Sequence, residues 1–178
     1  MELYLADDLP PAIVDFAHTP EALRSVLGAL KPWNKPLSLV YGCGGDRDRS
    51  KRPLMSAAAL ELADKVWLTD DNPRFESPEQ IFADALAVEG SSAIKPVHDR
   101  ETAIRMAVSH TAMDGLLIIA GKGHEDWQEV SGEKHFYQDA DVLKKLGYRR
   151  SGVSVDQTVH PLPTQLQQIR ARVLGGRS

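Results

Sequence analysis

The chain predicts an α/β fold: one Rossmann-like, mostly parallel sheet flanked by helices, in a single domain. Two observations carry that expectation. Apolar, β-branched runs alternate with segments whose apolar residues recur at helical spacing, the pattern of strands joined by crossover helices. Residue types suited to ligand chemistry then collect directly after those runs. These are the C-terminal ends of the expected strands, where an open parallel sheet presents its binding loops.

Taken in order, Ala12-Ile13-Val14-Asp15-Phe16 reads as a strand. Thr19 is placed to cap the next helix, with Pro20 at its first position, where a missing N–H costs nothing. Leu37 to Tyr41 is the second strand and ends in a glycine cluster. Leu54, Ala58 and Leu62 share one helical face, so Arg52 to Ala63 is expected to be helical. Lys65 to Thr69 returns as a strand, and Ser77-Pro78 repeats the capping pattern to open a helix through Leu86. A short strand near Ile94 to Val97 precedes a helix from Asp99 to about Ala112. Asp114-Gly115 turns into Leu116 to Ala120, the most apolar strand. Gln128 to Val130 and Lys134 to Phe136, joined around Ser131-Gly132, predict a hairpin, and Asp139 to Leu146 a last short helix. After Gly147 the alternation stops. Residues 1–147 are therefore expected to form the domain and residues 148–178 a tail. Its Arg149-Arg150-Ser151-Gly152 stretch reads as linker, and Leu166, Ile169 and Val173 are spaced as on one amphipathic helix.

Bulk properties narrow the classes. At 178 residues, 42% apolar and 26% charged, the chain is long enough to bury a real core. A net charge of −4 argues against a nucleic-acid partner. The single cysteine, Cys43, excludes an intramolecular disulfide and suits a reducing cytoplasm. Met1 to Asp8 lacks the pattern of a signal peptide, and no apolar run reaches the length of a membrane span, so a cytoplasmic protein without a membrane partner is expected.

Four loops carry the chemistry. Asp15 and His18 flank a tight strand-to-helix turn, where a carboxylate suits ribose hydroxyls and an imidazole suits a phosphate at a helix N-terminus; a plain capped turn explains them equally well. Gly42-Cys43-Gly44-Gly45 is too short for a dinucleotide fingerprint, and the following Asp46, Arg47, Asp48, Arg49, Lys51 and Arg52 read, taken alone, as a solvated loop. In Asp71-Asn72-Pro73-Arg74 the proline stiffens the turn, so an amide and a guanidinium are aimed from a fixed frame; the guanidinium fork suits a free carboxylate. Gly121-Lys122-Gly123-His124-Glu125 is not a phosphate-binding P-loop, because Leu116 and Gly123 stand where that pattern needs glycine and a hydroxyl residue. It reads instead as a pocket wall with Glu125 placed for a ligand ammonium. His18, His98 and His124 match no metal-ligand spacing, and no metal site is expected.

Asp15-Phe16-Ala17-His18-Thr19-Pro20, Gly42 to Asp48 with Lys51-Arg52-Pro53-Leu54-Met55, Asp71-Asn72-Pro73-Arg74 and Ala120 to Glu125 stand in a familiar order and at familiar spacing. Together they resemble the C-terminal domain of the Mur ligase family over residues 1 to about 147, and Asp-Asn-Pro-Arg narrows the likeness to the branch that adds meso-diaminopimelate. The resemblance implies an ATP-dependent, amide-bond-forming ligase of peptidoglycan precursor synthesis, in which a phosphorylated carboxylate is attacked by the incoming amine. It implies that Asp15 contacts the ATP ribose and that His18 lies near the phosphates. It implies that Arg47, Asn72 and Arg74 hold the distal carboxylate of meso-diaminopimelate, that Asp71 and Pro73 shape that turn, and that Gly121 and Glu125 complete the pocket. The family's phosphate loop, magnesium ligands, modified lysine and uridine-nucleotide domain have no counterpart in this sequence. ATP and Mg2+ are therefore expected only in a full enzyme with N-terminal and central ATPase domains. No catalytic residue and no turnover are expected from these residues alone. Two other readings stay open: a stand-alone amino-acid-binding or regulatory module, and a sibling ligase domain adding another amino acid. Arg74 counts against lysine for the latter, since it would leave a cation facing a cation.

Overall fold

The capping residues act as the sequence suggests. In a computed structural model that describes residues 1–154, the Thr19 hydroxyl accepts from the Ala22 N–H at 3.1 Å and opens α1 (Pro20–Leu30). Ser77 accepts from the Gln80 N–H to open α3 (Pro78–Ala85); Asp99, expected within the next helix, instead caps it by accepting from the Thr102 N–H, and α4 spans Arg100–His110. Two further helices are α2 (Lys51–Leu62) and α5 (Asp139–Lys145).

The strands are β1 (Glu2–Leu5), β2 (Ala12–Asp15), β3 (Leu37–Cys43), β4 (Lys65–Asp70), β5 (Ile94–Pro96), β6 (Leu116–Ala120) and β9 (Arg149–Ser154) in the main sheet, with β7 (Trp127–Val130) and β8 (Glu133–Phe136) as a separate hairpin. The sheet order is β5-β4-β3-β6-β2-β1-β9; its first five strands are parallel, β1 runs antiparallel to β2, and β9 antiparallel to β1. β6 lies between β2 and β3 and is buried on both faces, which explains its unbroken apolar run. Strand alternation sends Leu39, Tyr41, Leu68 and Ile118 into a core with α1, α2 and α3. Val40, Trp67, Leu117 and Ile119 enter a second core with α4 and α5.

This winding fixes where a ligand can bind. From β2 the chain passes over α1 to β3, skipping the place that β6 later fills, and moves outward to β4 and β5; α4 then returns it across the opposite face. The connections after neighbouring β3 and β6 therefore diverge to opposite faces, which opens a crevice at the C-terminal ends of the strands. Among the described residues no helix is long and apolar enough to cross a membrane.

Two expectations at the ends of the domain need correction. β1 was not foreseen, because Glu2–Leu5 is too short for its alternation to stand out. Arg149 to Gly152, expected as linker, belong to β9 and extend the sheet past residue 147. These residues are polar because β9 is an edge strand, ordered by its ladder to β1 rather than by burial. Arg150 pairs with Glu2 at 2.7 Å, and the buried Tyr148 hydroxyl donates to the Pro10 carbonyl at 2.7 Å. The helix expected around Leu166, Ile169 and Val173 lies outside the described residues.

α4 and α5 are joined by a fully buried ion pair. Arg100 donates from Nε and Nη2 to the two oxygens of Asp139, both at 2.8 Å, and from Nη2 to the Ala120 carbonyl at the end of β6. Replacing Asp139 by alanine would leave a buried, unpaired guanidinium. We expect the variant to lose about 3–5 kcal/mol in urea denaturation, and the double variant Arg100→Met/Asp139→Leu to recover most of it. A loss under about 1 kcal/mol for Asp139→Ala would mean the pair contributes little.

Candidate functional site

The site is built from loops that follow β2, β3, β4 and β6. The loops after β3 and β4 are locked to each other by close backbone contact. The Gly45 N–H donates to the Asn72 carbonyl at 2.9 Å, and a Cβ on Gly45 would fall 1.8 Å from the Pro73 carbonyl oxygen. Only glycine permits this approach. Arg52 seals the contact from below: 2% exposed, it donates to the Gly44 carbonyl, to both oxygens of Glu76, and to Asp84 on α3. The expectation of a solvated charge run thus fails at Arg52, because burial between α2, α3 and these loops supplies it with acceptors.

Arg74 adopts a left-handed backbone conformation, φ 55°, unusual for a residue with a side chain. The hairpin holds it there: its N–H donates to the Glu129 carbonyl at 3.0 Å, and its carbonyl accepts from the Ser131 N–H at 2.6 Å. Its Nη1 donates to the Gly45 carbonyl at 2.7 Å, and Glu129 lies 3.6 Å from its Nε. Two of the three guanidinium nitrogens, Nη1 and Nε, are thereby engaged by protein.

Asn72 is 3% exposed and its amide is engaged internally. Its Oδ1 accepts from Lys122 Nζ and from the Glu129 N–H, each at 3.0 Å, and its Nδ2 donates to Glu125 Oε2 at 3.1 Å. Lys122, whose side chain is fully buried, also lies 3.5 Å from Glu125 and 4.0 Å from Asp71. Burial pushes its ammonium below the ordinary lysine range, and the Asp71 carboxylate opposes that shift.

Arg52, Asp71, Asn72, Arg74 and Glu125 line a cavity of about 410 Å3 that also takes in Phe16, His18, Lys51 and Met55. Arg47 and Lys51 line it without a side-chain hydrogen bond or ion pair to any described residue. Among the described residues Glu125 Oε1 likewise accepts no bond. The cavity thus presents open cationic groups (Arg47, Lys51 and the outer edge of Arg74) and open acidic ones (Glu125 and Asp71), a lining suited to a zwitterion.

Of the residues singled out in the sequence, Arg47, Asp71, Asn72, Arg74, Gly121, Glu125 and His18 all line this cavity. Pro73 is buried behind it, its carbonyl against Gly45. Asp15 stands outside the lining. Its Oδ1 accepts from the Ala17 N–H at 2.9 Å, and its Oδ2 lies 3.4 Å from the Met1 backbone nitrogen. His18 Nδ1 is hydrogen-bonded to the Phe16 carbonyl at 2.8 Å, which turns Nε2 away from that bond. Gly121, at φ 116°, passes Asp71 so closely that a Cβ would sit 2.6 Å from its Oδ2. Among the described residues no three His, Cys, Asp or Glu side chains are grouped to hold a metal ion. Sequence reasoning missed Lys122 as the hub of the site; its one visible sign was a lysine between two glycines directly after the most apolar strand.

A profile of the Mur ligase, glutamate ligase domain, matches residues 1–123, and the chain belongs to this family. It is 46% identical over 147 residues to the UDP-N-acetylmuramoyl-L-alanyl-D-glutamate–2,6-diaminopimelate ligase of Neisseria meningitidis serogroup A, covering 80% of this chain and 30% of that protein. It is 49% identical over 136 residues to the ligase of the same name from Ectopseudomonas mendocina, covering 74% and 28%. A solved structure of a ligase of that name superposes with a TM-score of 0.76 at 45% identity, over 81% of this chain and 30% of its own. The chain therefore spans about 30% of the length of these relatives.

Two outcomes follow from this packing. Gly45→Ala should destabilise the domain by about 1–3 kcal/mol in urea denaturation and shift the backbone amide resonances of Asn72 and Arg74; unchanged resonances would show that the two loops are not locked. Cys43 is a buried member of the cavity lining, and burial pushes its thiol up to about 12. A thiol-reactive dye at about pH 8 should leave the folded protein unlabelled and react fully once denaturant is added; rapid labelling of the folded form would show the cavity floor to be open.

Proposed function

We propose that this chain is the amino-acid-binding domain of an ATP-dependent ligase that joins meso-diaminopimelate to UDP-N-acetylmuramoyl-L-alanyl-D-glutamate in peptidoglycan precursor synthesis. The observation that carries the reading is the charge layout of one cavity, with Arg47 and Arg74 open to a carboxylate and Glu125 and Asp71 open to an ammonium. meso-Diaminopimelate carries a carboxylate at its far end where lysine has none. Arg74, with Nη1 bonded to Gly45 and Nε beside Glu129 of the hairpin, offers its remaining donors in a set direction, so a ligand carboxylate meets a pre-oriented partner. The relatives' names specify 2,6-diaminopimelate.

The amide-bond-forming reaction belongs to the longer protein, with N-terminal and central ATPase domains completing the site; Mg2+ would be held there. ATP would supply the phosphoryl group that activates the acceptor carboxylate. On this chain Nδ1–H of His18, just before α1, donates to the Phe16 carbonyl, so Nε2 would donate to a phosphate oxygen only when the ring is an imidazolium, and each Asp15 oxygen keeps a lone pair for a ribose hydroxyl. Glu125 and Asp71 would hold the ammonium that is not attacking, and Arg47 with Arg74 would anchor the far carboxylate, which orients the attacking amine.

Calorimetric titration of the chain with meso-diaminopimelate, and with L-lysine as control, tests the binding. We expect selective binding of meso-diaminopimelate. Arg74→Ala should weaken it roughly ten- to a hundredfold, the loss of about 1.5–3 kcal/mol for a charged hydrogen bond, with little change for lysine. Equal affinity for both amino acids in the unaltered protein would overturn the specificity reading.

A further inference from the structure

We propose that Lys122 is the positioning residue of the amino-acid site: without touching the ligand, it holds Asn72 and Glu125 in the geometry that receives the ligand's ammonium. The inference rests on the ligand reading above and extends it to a residue outside the cavity wall.

Lys122 has no exposed side-chain surface and does not line the cavity, so it is not a ligand-contacting group. Yet each polar partner it has is a cavity-lining group: Asn72 at 3.0 Å, Glu125 at 3.5 Å and Asp71 at 4.0 Å. A buried ammonium is costly unless paired, and here the pairing is confined to the site. The Trp127 ring, 5.7 Å from Nζ, closes its outer side, and Arg100 and Asp139 lie in the charge field behind it.

The bond pattern states what the lysine does. Asn72 Oδ1 accepts from both Lys122 and the Glu129 N–H, which fixes the amide so that Nδ2 must face Glu125. Nδ2 and Lys122 both engage Glu125 Oε2, which leaves Oε1 for the ligand. The same ammonium stands between Glu125 and Asp71, so two carboxylates can share one small cavity wall without an uncompensated repulsion. Methionine in its place would keep the volume and remove all three effects.

The test uses the chain as it stands, with Lys122→Met, Glu125→Gln and the double variant. NMR of the Asn72 side-chain amide reads positioning without ligand, and calorimetry with meso-diaminopimelate reads its consequence. Lys122→Met should shift the Asn72 amide pair and speed its hydrogen exchange, while the backbone amide of Ala22 at the distant Thr19 cap stays unchanged. It should weaken binding about tenfold in the unaltered background and little further in Glu125→Gln, because the lysine acts through that carboxylate. Equal weakening in both backgrounds, or an unmoved Asn72 amide, would overturn the proposal and leave Lys122 a general stability residue. If Lys122→Met does not fold, the unaltered protein decides. Its Lys122 ammonium 15N signal should exchange slowly and shift when meso-diaminopimelate binds; a fast-exchanging signal, or one unmoved at saturation, would count against the proposal. Absence of any binding by the unaltered protein would refute the ligand reading for the isolated domain, while the Asn72 amide would still decide whether Lys122 positions it.

Discussion

Three buried cations at the C-terminal edge of the sheet hold the loops of this domain in place. Arg52, Arg100 and Lys122 are each no more than 2% exposed, and each bonds to groups on a different element from its own. Arg52 joins α2 to α3 and to the loops after β3 and β4; Arg100 joins α4 to α5 and the end of β6; Lys122 joins the loop after β6 to the turn after β4. A buried charge tolerates no misplacement of its partners, because an unpaired ion in a low-dielectric interior costs several kcal/mol. Loops that would otherwise explore many conformations are thereby committed to one, at the place where a ligand must find them.

That commitment explains a local conformation that is unfavourable in itself. Arg74 in the left-handed region costs about 1–3 kcal/mol and persists only if its surroundings determine it. Here they do so from two sides, through two backbone bonds to the hairpin and a guanidinium bond to Gly45. The small β7–β8 hairpin contributes nothing to the main sheet; its part is to back the Asp71–Arg74 turn, to which Gln128 also donates at the Asp71 carbonyl. The strain is confined to the residue whose direction matters most for recognising a carboxylate.

Much of this was legible in the sequence, and the parts that were not have a common cause. Strands such as Leu116–Ala120 and caps such as Thr19 and Ser77 depend on local pattern and emerged at nearly the right residues. The four loops were legible because parallel strands end where ligands bind, and seven of the nine expected site residues line one cavity. What stayed hidden depends on partners far along the chain. Arg100 meets Asp139 at a separation of 39 residues and Lys122 meets Asn72 at 50, so nothing near either residue distinguishes a buried cation from a solvated one. β9 was hidden for the same reason: a polar edge strand is defined by its neighbour, and β1 lies at the other end of the chain. Asp15 sits where the alternation placed it, but its nearest hydrogen-bond donor is its own turn.

The division between satisfied and open charge also bounds the ligand. Arg52 and Arg100 are paired with carboxylates within the fold, although Arg52 Nε and Arg100 Nη1 have no hydrogen-bond partner among the described residues. Among the described residues Arg47 and Lys51 form no such pair and Glu125 keeps one oxygen open, so charge of both signs faces the same space. A purely anionic ligand would leave Glu125 Oε1 unengaged, and a purely cationic one would leave Arg47 and Lys51 without a counter-charge. A ligand with separated carboxylate and ammonium groups satisfies both, and it does so without rearranging loops that the buried cations already hold.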